Sequence, residues 1–244
     1  MHLSTLSWGS GDRVALLIHG MLGAATQYHQ LGPALADRGY HAIAVDLPGH
    51  GTSPPAPGAT LSLFADALVE TVSRLDASRS GSPRPALAVG HSLGAVLLSY
   101  ALPRLRPHRA VYVDTPLDTP SAAPPVVDLR EHFLAARSSR TEQHLRASHP
   151  SWSLEDCRVE AEAARRFDIE TAVALQRSYT GHTTGSATIP SLVIAADPSR
   201  YVSPERAREL AELGFTVRSV PGAGHSVWYG QLGEFVGILD AWLG

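Results

Sequence analysis

The chain has 244 residues, 44% of them hydrophobic and 18% charged, with a formal net charge of −3. That is enough apolar material for one large α/β domain, or a core with one inserted subdomain, and it gives no sign of global disorder. All 20 basic residues are arginine, so Schiff-base and phosphate-lysine mechanisms are excluded, and the near-even charge balance offers no basic field for nucleic acid.

Val14 to Ile18 reads as the first clear strand, ending at His19-Gly20. An amphipathic stretch from about Thr26 to Asp37 follows and stops at Gly39. His41 to Val45 is the next strand, running into the Gly/Pro-dense turn Asp46-Leu47-Pro48-Gly49-His50-Gly51. Leu61 to Leu75 has helical period, and a Ser/Arg/Gly/Pro loop then runs to Pro85. Ala86 to Val89 is a buried-type strand leading into Gly90-His91-Ser92-Leu93-Gly94, and Ala95 to Leu102 continues as helix. Ala110 to Val113 is another strand, ending at Asp114. Residues 191–196 and 215–220 supply the last two strands, with helices at about 204–213 and 231–243. Short apolar runs alternating with helical segments predict a mostly parallel sheet flanked by helices.

Residues 115–188 break this rhythm. They open on Pro116, Pro120, Pro124 and Pro125 and continue as charged, mostly helical sequence without a convincing strand. Their position between two core strands predicts a helical cap over a core formed by residues 1–114 and 189–244.

The chemistry concentrates at two loops. Gly90-His91-Ser92-Leu93-Gly94 matches G-x-S-x-G between a strand and a helix, the context in which a serine is lifted above the sheet on a tight turn. Side chains at the two glycines would collide with neighbouring backbone, and the following helix turns its N-terminus toward developing negative charge. Ser92 is therefore the candidate nucleophile. Pro221-Gly222-Ala223-Gly224-His225 follows the last strand, where an imidazole can take the serine proton and return it to the leaving group, so His225 is the candidate base. Main-chain N–H groups of Met21 and Leu93 are the candidate oxyanion donors.

The acid that must orient the base has two candidates. Asp197 ends the strand Ser191 to Ala196 and obeys the order Ser, Asp, His. Asp114 ends the strand directly after the nucleophile helix. Both stay open at this stage. Gly20, His91, Trp152 and Tyr179 are candidate substrate-lining positions. Phe133 and Phe167, further aromatics of the helical insertion, are weighed both as lining of an apolar pocket and as packing, and Trp228 is a candidate anchor for the last helix.

These motifs together resemble the α/β-hydrolase superfamily, in particular its cap-bearing branch of esterases, carbon–carbon bond hydrolases, cofactor-free haloperoxidases and haloalkane dehalogenases. The likeness runs from Leu16-Leu17-Ile18-His19-Gly20, through Asp46 to Ser53 and the Ser92 turn, to Gly222-Ala223-Gly224-His225. It implies the α/β-hydrolase fold: a mostly parallel central sheet with a helical cap inserted after the strand ending near Asp114. Position 92 is serine, which disfavours the relatives that use an aspartate nucleophile. The family's acid loop usually reads roughly G-x-x-D, whereas Ala195-Ala196-Asp197-Pro198-Ser199 places the aspartate early and a serine near the expected point. Asp114 matches the alternative acid position of some relatives. Only Leu3 to Trp8 remains for the usual N-terminal hairpin, so that edge of the sheet should be short.

The implied function is hydrolysis of a small carboxylic ester, thioester or lactone through an acyl-enzyme. Carbon–carbon bond hydrolysis with the same triad, and a ligand receptor or non-hydrolytic biosynthetic enzyme on the same fold, are the alternatives. Cys157 is the single cysteine, so no intrachain disulfide and no cysteine zinc site can form. No H-E-x-x-H spacing occurs, and neither a metal nor a cofactor is expected. No signal-like start and no window of about 20 apolar residues is present, so the expectation is a soluble, cytoplasmic protein acting on a small molecule without membrane or nucleic-acid partners.

Overall fold

The computed structural model describes residues 1–77, 84–119 and 128–244. Part of the loop expected before Pro85, and Pro120, Pro124 and Pro125, lie outside the described residues. Among the described residues the strands are β1 (Thr5–Trp8), β2 (Arg13–Ile18), β3 (Tyr40–Val45), β4 (Leu87–His91), β5 (Ala110–Val113), β6 (Asp118–Thr119), β7 (His182–Thr183), β8 (Ser191–Asp197) and β9 (Thr216–Pro221). The helices are α1 (Leu31–Ala36), α2 (Leu61–Ala77), α3 (Leu93–Leu105), α4 (Leu129–Ser139), α5 (Glu142–Ser148), α6 (Leu154–Arg165), α7 (Ile169–Ser178), α8 (Pro204–Glu212) and α9 (Leu232–Leu243), with a 3-10 turn at Ala25–Tyr28.

Seven strands form one sheet in the order β1-β3-β2-β4-β5-β8-β9. Only β1 runs antiparallel, pairing Thr5 to Trp8 with Val45 to Ala42 at the edge. The segment Thr5–Trp8 thus supplies a single edge strand. The inner strands are apolar almost throughout because both of their faces are covered. Alternation then sorts side chains between the layers. Leu16, Ile18, Tyr112 and Val193 pack with Phe64 and Leu68 of α2 and Leu97 and Leu98 of α3. Leu17, Val89, Val111 and Ile194 pack with Leu31 and Leu35 of α1 and Phe235 and Leu239 of α9.

From β2 the chain adds β3 on one side, then crosses back to place β4 on the other. Loops leaving the ends of β2 and β4 therefore diverge at a topological switch point, where open α/β sheets form their binding crevices. The Ser92 turn and His19-Gly20 both fall there.

Between β5 and β8 lie α4 to α7 and the two-residue pair β6–β7, the latter not foreseen from the sequence because each strand is only two residues long. Phe133 of α4 and Phe167 meet edge to face with ring centres 5.7 Å apart, forming a small apolar cluster with Ala172, Val173 and Leu22. These two aromatics are packing residues. The Asp168 main-chain N–H donates to Gly49 O at 2.8 Å, and Thr171 Oγ1 accepts from Ala56 N at 2.8 Å, tying α7 to the turn after β3.

Candidate active site

Ser92 sits between β4 and α3 at φ 52°, ψ −117°, a conformation strained for any residue with a side chain. Its N–H donates to Val113 O at 3.1 Å, and its carbonyl accepts from Ala95 and Val96, so hydrogen bonds on both sides hold the bend. The flanking glycines are required by close approach. A Cβ on Gly94 would lie 2.2 Å from Ile18 O and 2.5 Å from His19 O, and one on Gly90 would lie 2.5 Å from Gly94 O. Removing those two side chains lets α3 press against the end of β2.

His225 follows β9, and its Nδ1 is 2.7 Å from Asp114 Oδ2. Asp114 is buried, with a positive φ of 45° that turns its carboxylate back over the sheet end. Its second oxygen is also occupied: Oδ1 accepts from Ala196 N at 3.1 Å and from Ser199 Oγ at 2.7 Å. Asp197 is exposed at the end of β8, lines the groove between α8 and β9, and makes no hydrogen bond to His225. Of the two candidate acids, the fold brings Asp114 to the histidine. Ser199, standing near the point where the carboxylate was expected, braces Asp114 instead.

Two rings contact the imidazole of His225, Tyr201 with ring centres 4.3 Å apart and His91 with ring centres 4.5 Å apart, both tilted. His91 Nε2 is 3.0 Å from the carbonyl of His225, so Nε2 carries the hydrogen and donates it, leaving Nδ1 bare and buried. Burial holds the His91 imidazole well below the usual histidine range, and the nearby His225 pushes it the same way, so His91 is neutral. His91 therefore anchors the His225 loop rather than facing open solvent.

The turn after β2 lies against the serine, since a Cβ on Gly20 would fall 3.0 Å from Ser92 Cβ and 3.1 Å from His91 Nδ1. His19 shapes that turn: its Nε2 accepts from Leu47 N at 3.0 Å, so Nδ1 carries the hydrogen and donates to Gly20 O at 2.8 Å. Asp46 clamps the neighbouring loops, accepting from Ala25 N at 2.7 Å and Thr52 N at 2.9 Å. The main-chain N–H groups of Met21 and Leu93, the candidate oxyanion donors, donate to no other described residue.

A cavity of about 200 Å³ abuts His225 and is lined by Arg140, His149, Trp152 and Glu160 from the α4–α6 region. Trp152 is thus beside the site, stacked on His149 with ring centres 4.0 Å apart. Tyr179 is not among the residues lining this cavity. It is hydrogen-bonded to Thr119 and packs against the α2–α3 layer. Trp228 is buried, donates to Gln27 O at 3.1 Å and stacks on Tyr28, which anchors the loop between His225 and α9. Ser199, Tyr201, Arg140 and Glu160 carry no motif, and only their contacts reveal them. Among the described residues no cluster of His, Cys, Asp and Glu is arranged to hold a metal, and no helix is long and apolar enough to cross a membrane.

The model of the alpha/beta hydrolase family matches residues 15–237. Among solved structures, an N-formylmaleamic acid deformylase from Pseudomonas putida is 22% identical, with a TM-score of 0.76 over 97% of this chain and 94% of that one. A bromoperoxidase from Bacillus anthracis is 18% identical, with a TM-score of 0.78 over 99% and 95% of the two chains. A thermophilic esterase from Thermogutta terrifontis is 19% identical, with a TM-score of 0.73 over 99% and 92%. A serine hydrolase-like protein of Dictyostelium discoideum is 29% identical over 99 residues, which is 40% of this chain and 27% of that protein. The chain thus matches little more than a quarter of that curated relative's length. With a family match extending from β2 into α9 and the same fold in all three structures, the chain belongs to the alpha/beta hydrolase family.

Proposed function

We propose that this chain is a serine hydrolase that cleaves a small carboxylic ester, thioester or lactone through an acyl-enzyme on Ser92. The observation that carries this reading is the 2.7 Å contact between Asp114 and Nδ1 of His225, with Ser92 at positive φ after the neighbouring strand. With Asp114 accepting from Nδ1–H, the lone pair of His225 is placed on Nε2, the tautomer a general base needs. His225 takes the Ser92 hydroxyl proton as the oxygen attacks the carbonyl carbon, and the imidazolium then protonates the leaving group. Met21 and Leu93 N–H groups stabilise the tetrahedral oxyanion at the N-terminus of α3. Water attacks the acyl-enzyme with His225 again as base, releasing the acid and regenerating the serine. The segment 115–188 serves as the cap, closing the side of the site at which Trp152 and Arg140 stand.

Ser92→Ala tests the reading. Turnover of short-chain esters should fall by roughly 10⁴–10⁶-fold while the thermal unfolding curve is retained. A fluorophosphonate probe should label the parent at Ser92 and leave the variant unlabelled. Hydrolysis by Ser92→Ala at the parental rate would remove the proposal.

A further inference from the structure

Arg140 follows α4 with its side chain two-thirds buried, yet its guanidinium donates no hydrogen bond to any described residue. Its nearest partner is Glu160 Oε2 at 3.9 Å, beyond hydrogen-bond reach. Elsewhere Arg38, Arg130 and Arg158 place their N–H groups on carboxylate oxygens within 2.9 Å. Arg140 instead lines the cavity of about 200 Å³ that abuts His225.

Glu160 is already engaged on its other side. Its Oε1 accepts from Gln27 Nε2, and Ser226 Oγ stands 3.5 Å away. Burial pushes its carboxyl upward, toward the neutral acid, against the pull of Arg140. The other polar side chains at this wall are the hydroxyls of Ser139 and Ser148 and the imidazoles of His144, His149 and His225, and burial lowers His149 toward its neutral form. The cavity therefore holds one permanent cation whose fork of donors is unspent, and Trp152 supplies an apolar wall.

We infer that this cavity binds the anionic group of the substrate, a carboxylate seated on the Arg140 guanidinium. A planar fork of N–H donors matches a carboxylate with two parallel hydrogen bonds, and partial burial strengthens them relative to water. The inference rests on the hydrolase reading for its statement about substrate, since the cavity is defined by its contact with His225.

The test compares ester pairs that differ only in the charged group. Methyl hexanoate against monomethyl glutarate reports the acyl side, and butyl acetate against 3-acetoxypropanoate reports the alcohol side. At least one anionic ester should exceed its neutral partner in kcat/KM by tenfold or more. Arg140→Gln should lower that ratio at least tenfold, and Arg140→Lys should restore part of it. Calorimetry with free glutarate on Ser92→Ala should detect binding that disappears when Arg140→Gln is added. A ratio near one in the parent, or one that Arg140→Gln leaves unchanged, would overturn the inference and leave Arg140 as a partner of Glu160 alone. If no ester is turned over and Ser92 is not labelled, the hydrolase reading fails, and the glutarate titration still decides whether the cavity is an anion site.

Discussion

Replacing Asp114 by asparagine isolates the contact on which the catalytic reading depends. The carboxylate has two engaged oxygens: Oδ2 faces Nδ1 of His225 at 2.7 Å, and Oδ1 accepts from Ala196 N and Ser199 Oγ. An asparagine must point its single carbonyl oxygen at one set. The main-chain N–H of Ala196 can only donate, so the carbonyl is held on that side and the NH₂ is turned toward His225. Nδ1 must then accept, the ring hydrogen moves to Nε2, and in the proposed mechanism that nitrogen can no longer take the serine proton. The imidazolium also loses its buried counter-charge. Wrong-tautomer variants of this kind lose about 10⁴ in kcat, equivalent to about 5.5 kcal/mol of transition-state stabilisation. Initial rates on a p-nitrophenyl ester, read beside thermal melts, measure the loss. Asp197→Asn, at an exposed position that makes no hydrogen bond to His225, should stay within about twofold, as surface substitutions usually stay within 0.5 kcal/mol. Near-parental turnover by Asp114→Asn together with collapse of Asp197→Asn would refute the assignment of the acid.

Three further outcomes follow from the same geometry. Gly94→Ala drives a methyl into main-chain oxygens at 2.2 and 2.5 Å and should cost about 3 kcal/mol or more of stability by urea titration. Gly20→Ala meets Ser92 Cβ at 3.0 Å, so it should fold with a smaller loss but turn over roughly 10²-fold more slowly through displacement of the serine. Ser92→Gly relieves a backbone strain of about 1–3 kcal/mol while adding about 0.5–1 kcal/mol of unfolded-state entropy, so it should be inactive yet raise the urea midpoint. Stability should also fall in mild acid. Burial lowers the His19 and His91 imidazoles and pushes His50 down to about 3, so below about pH 6.5 the unfolded chain binds protons that the folded one refuses. Glu160, raised by burial, works the other way, its contribution shrinking as pH rises above its unfolded value near 4.5. The lowered histidines, His149 and His182 among them, outnumber the raised Glu160, so the net effect is a loss of stability as pH falls from about 6 to 5. A urea midpoint that rises over that interval would contradict the sign.

Periodicity and punctuation made the sheet legible, because buried parallel strands read as continuous apolar runs and glycine marks the turns. Strand ends shifted by one or two residues: β4 continues through His91, since Ser92 rather than Gly90 makes the bend. The candidate nucleophile turn was legible for a related reason, since Gly90 and Gly94 are glycines whose absent side chains the packing demands, whereas the loop before His225 was marked by glycines with open space around them. The acid was not. Asp114 and Asp197 both end strands, and which one meets His225 depends on the positive φ at Asp114 and on Ser199, neither of which leaves a pattern in the sequence. The pocket was harder still, because Arg140 and Glu160 come together only when α4 and α6 pack. Of the aromatics considered for the lining, Trp152 reaches the cavity, while Phe133 and Phe167 became packing residues and Tyr179 a hydrogen-bonded support.

The proposed location of the acid on β5 has a consequence for how rigid the site can be. β4 and β5 are hydrogen-bonded neighbours, and the Ser92 N–H itself donates to Val113 O, the residue before Asp114. Serine and aspartate therefore hang from adjacent positions of one ladder, each at positive φ, so a movement of either strand end carries both. The histidine arrives from β9, two strands further along the sheet, and must be held by other means. His91, adjacent in sequence to the serine, grips the carbonyl of His225, and Ser199, after β8, grips the carboxylate that faces its ring. His225 is thus tied at its main chain to His91 of β4 and at its side chain to Asp114, which follows β5. With an acid on β8, the nearest strand to β9, the histidine would be held from its own side of the sheet and the serine would have to be registered separately. Placing the acid on β5 makes the registration of all three groups depend on the most deeply buried part of the sheet, the β4–β5 pair.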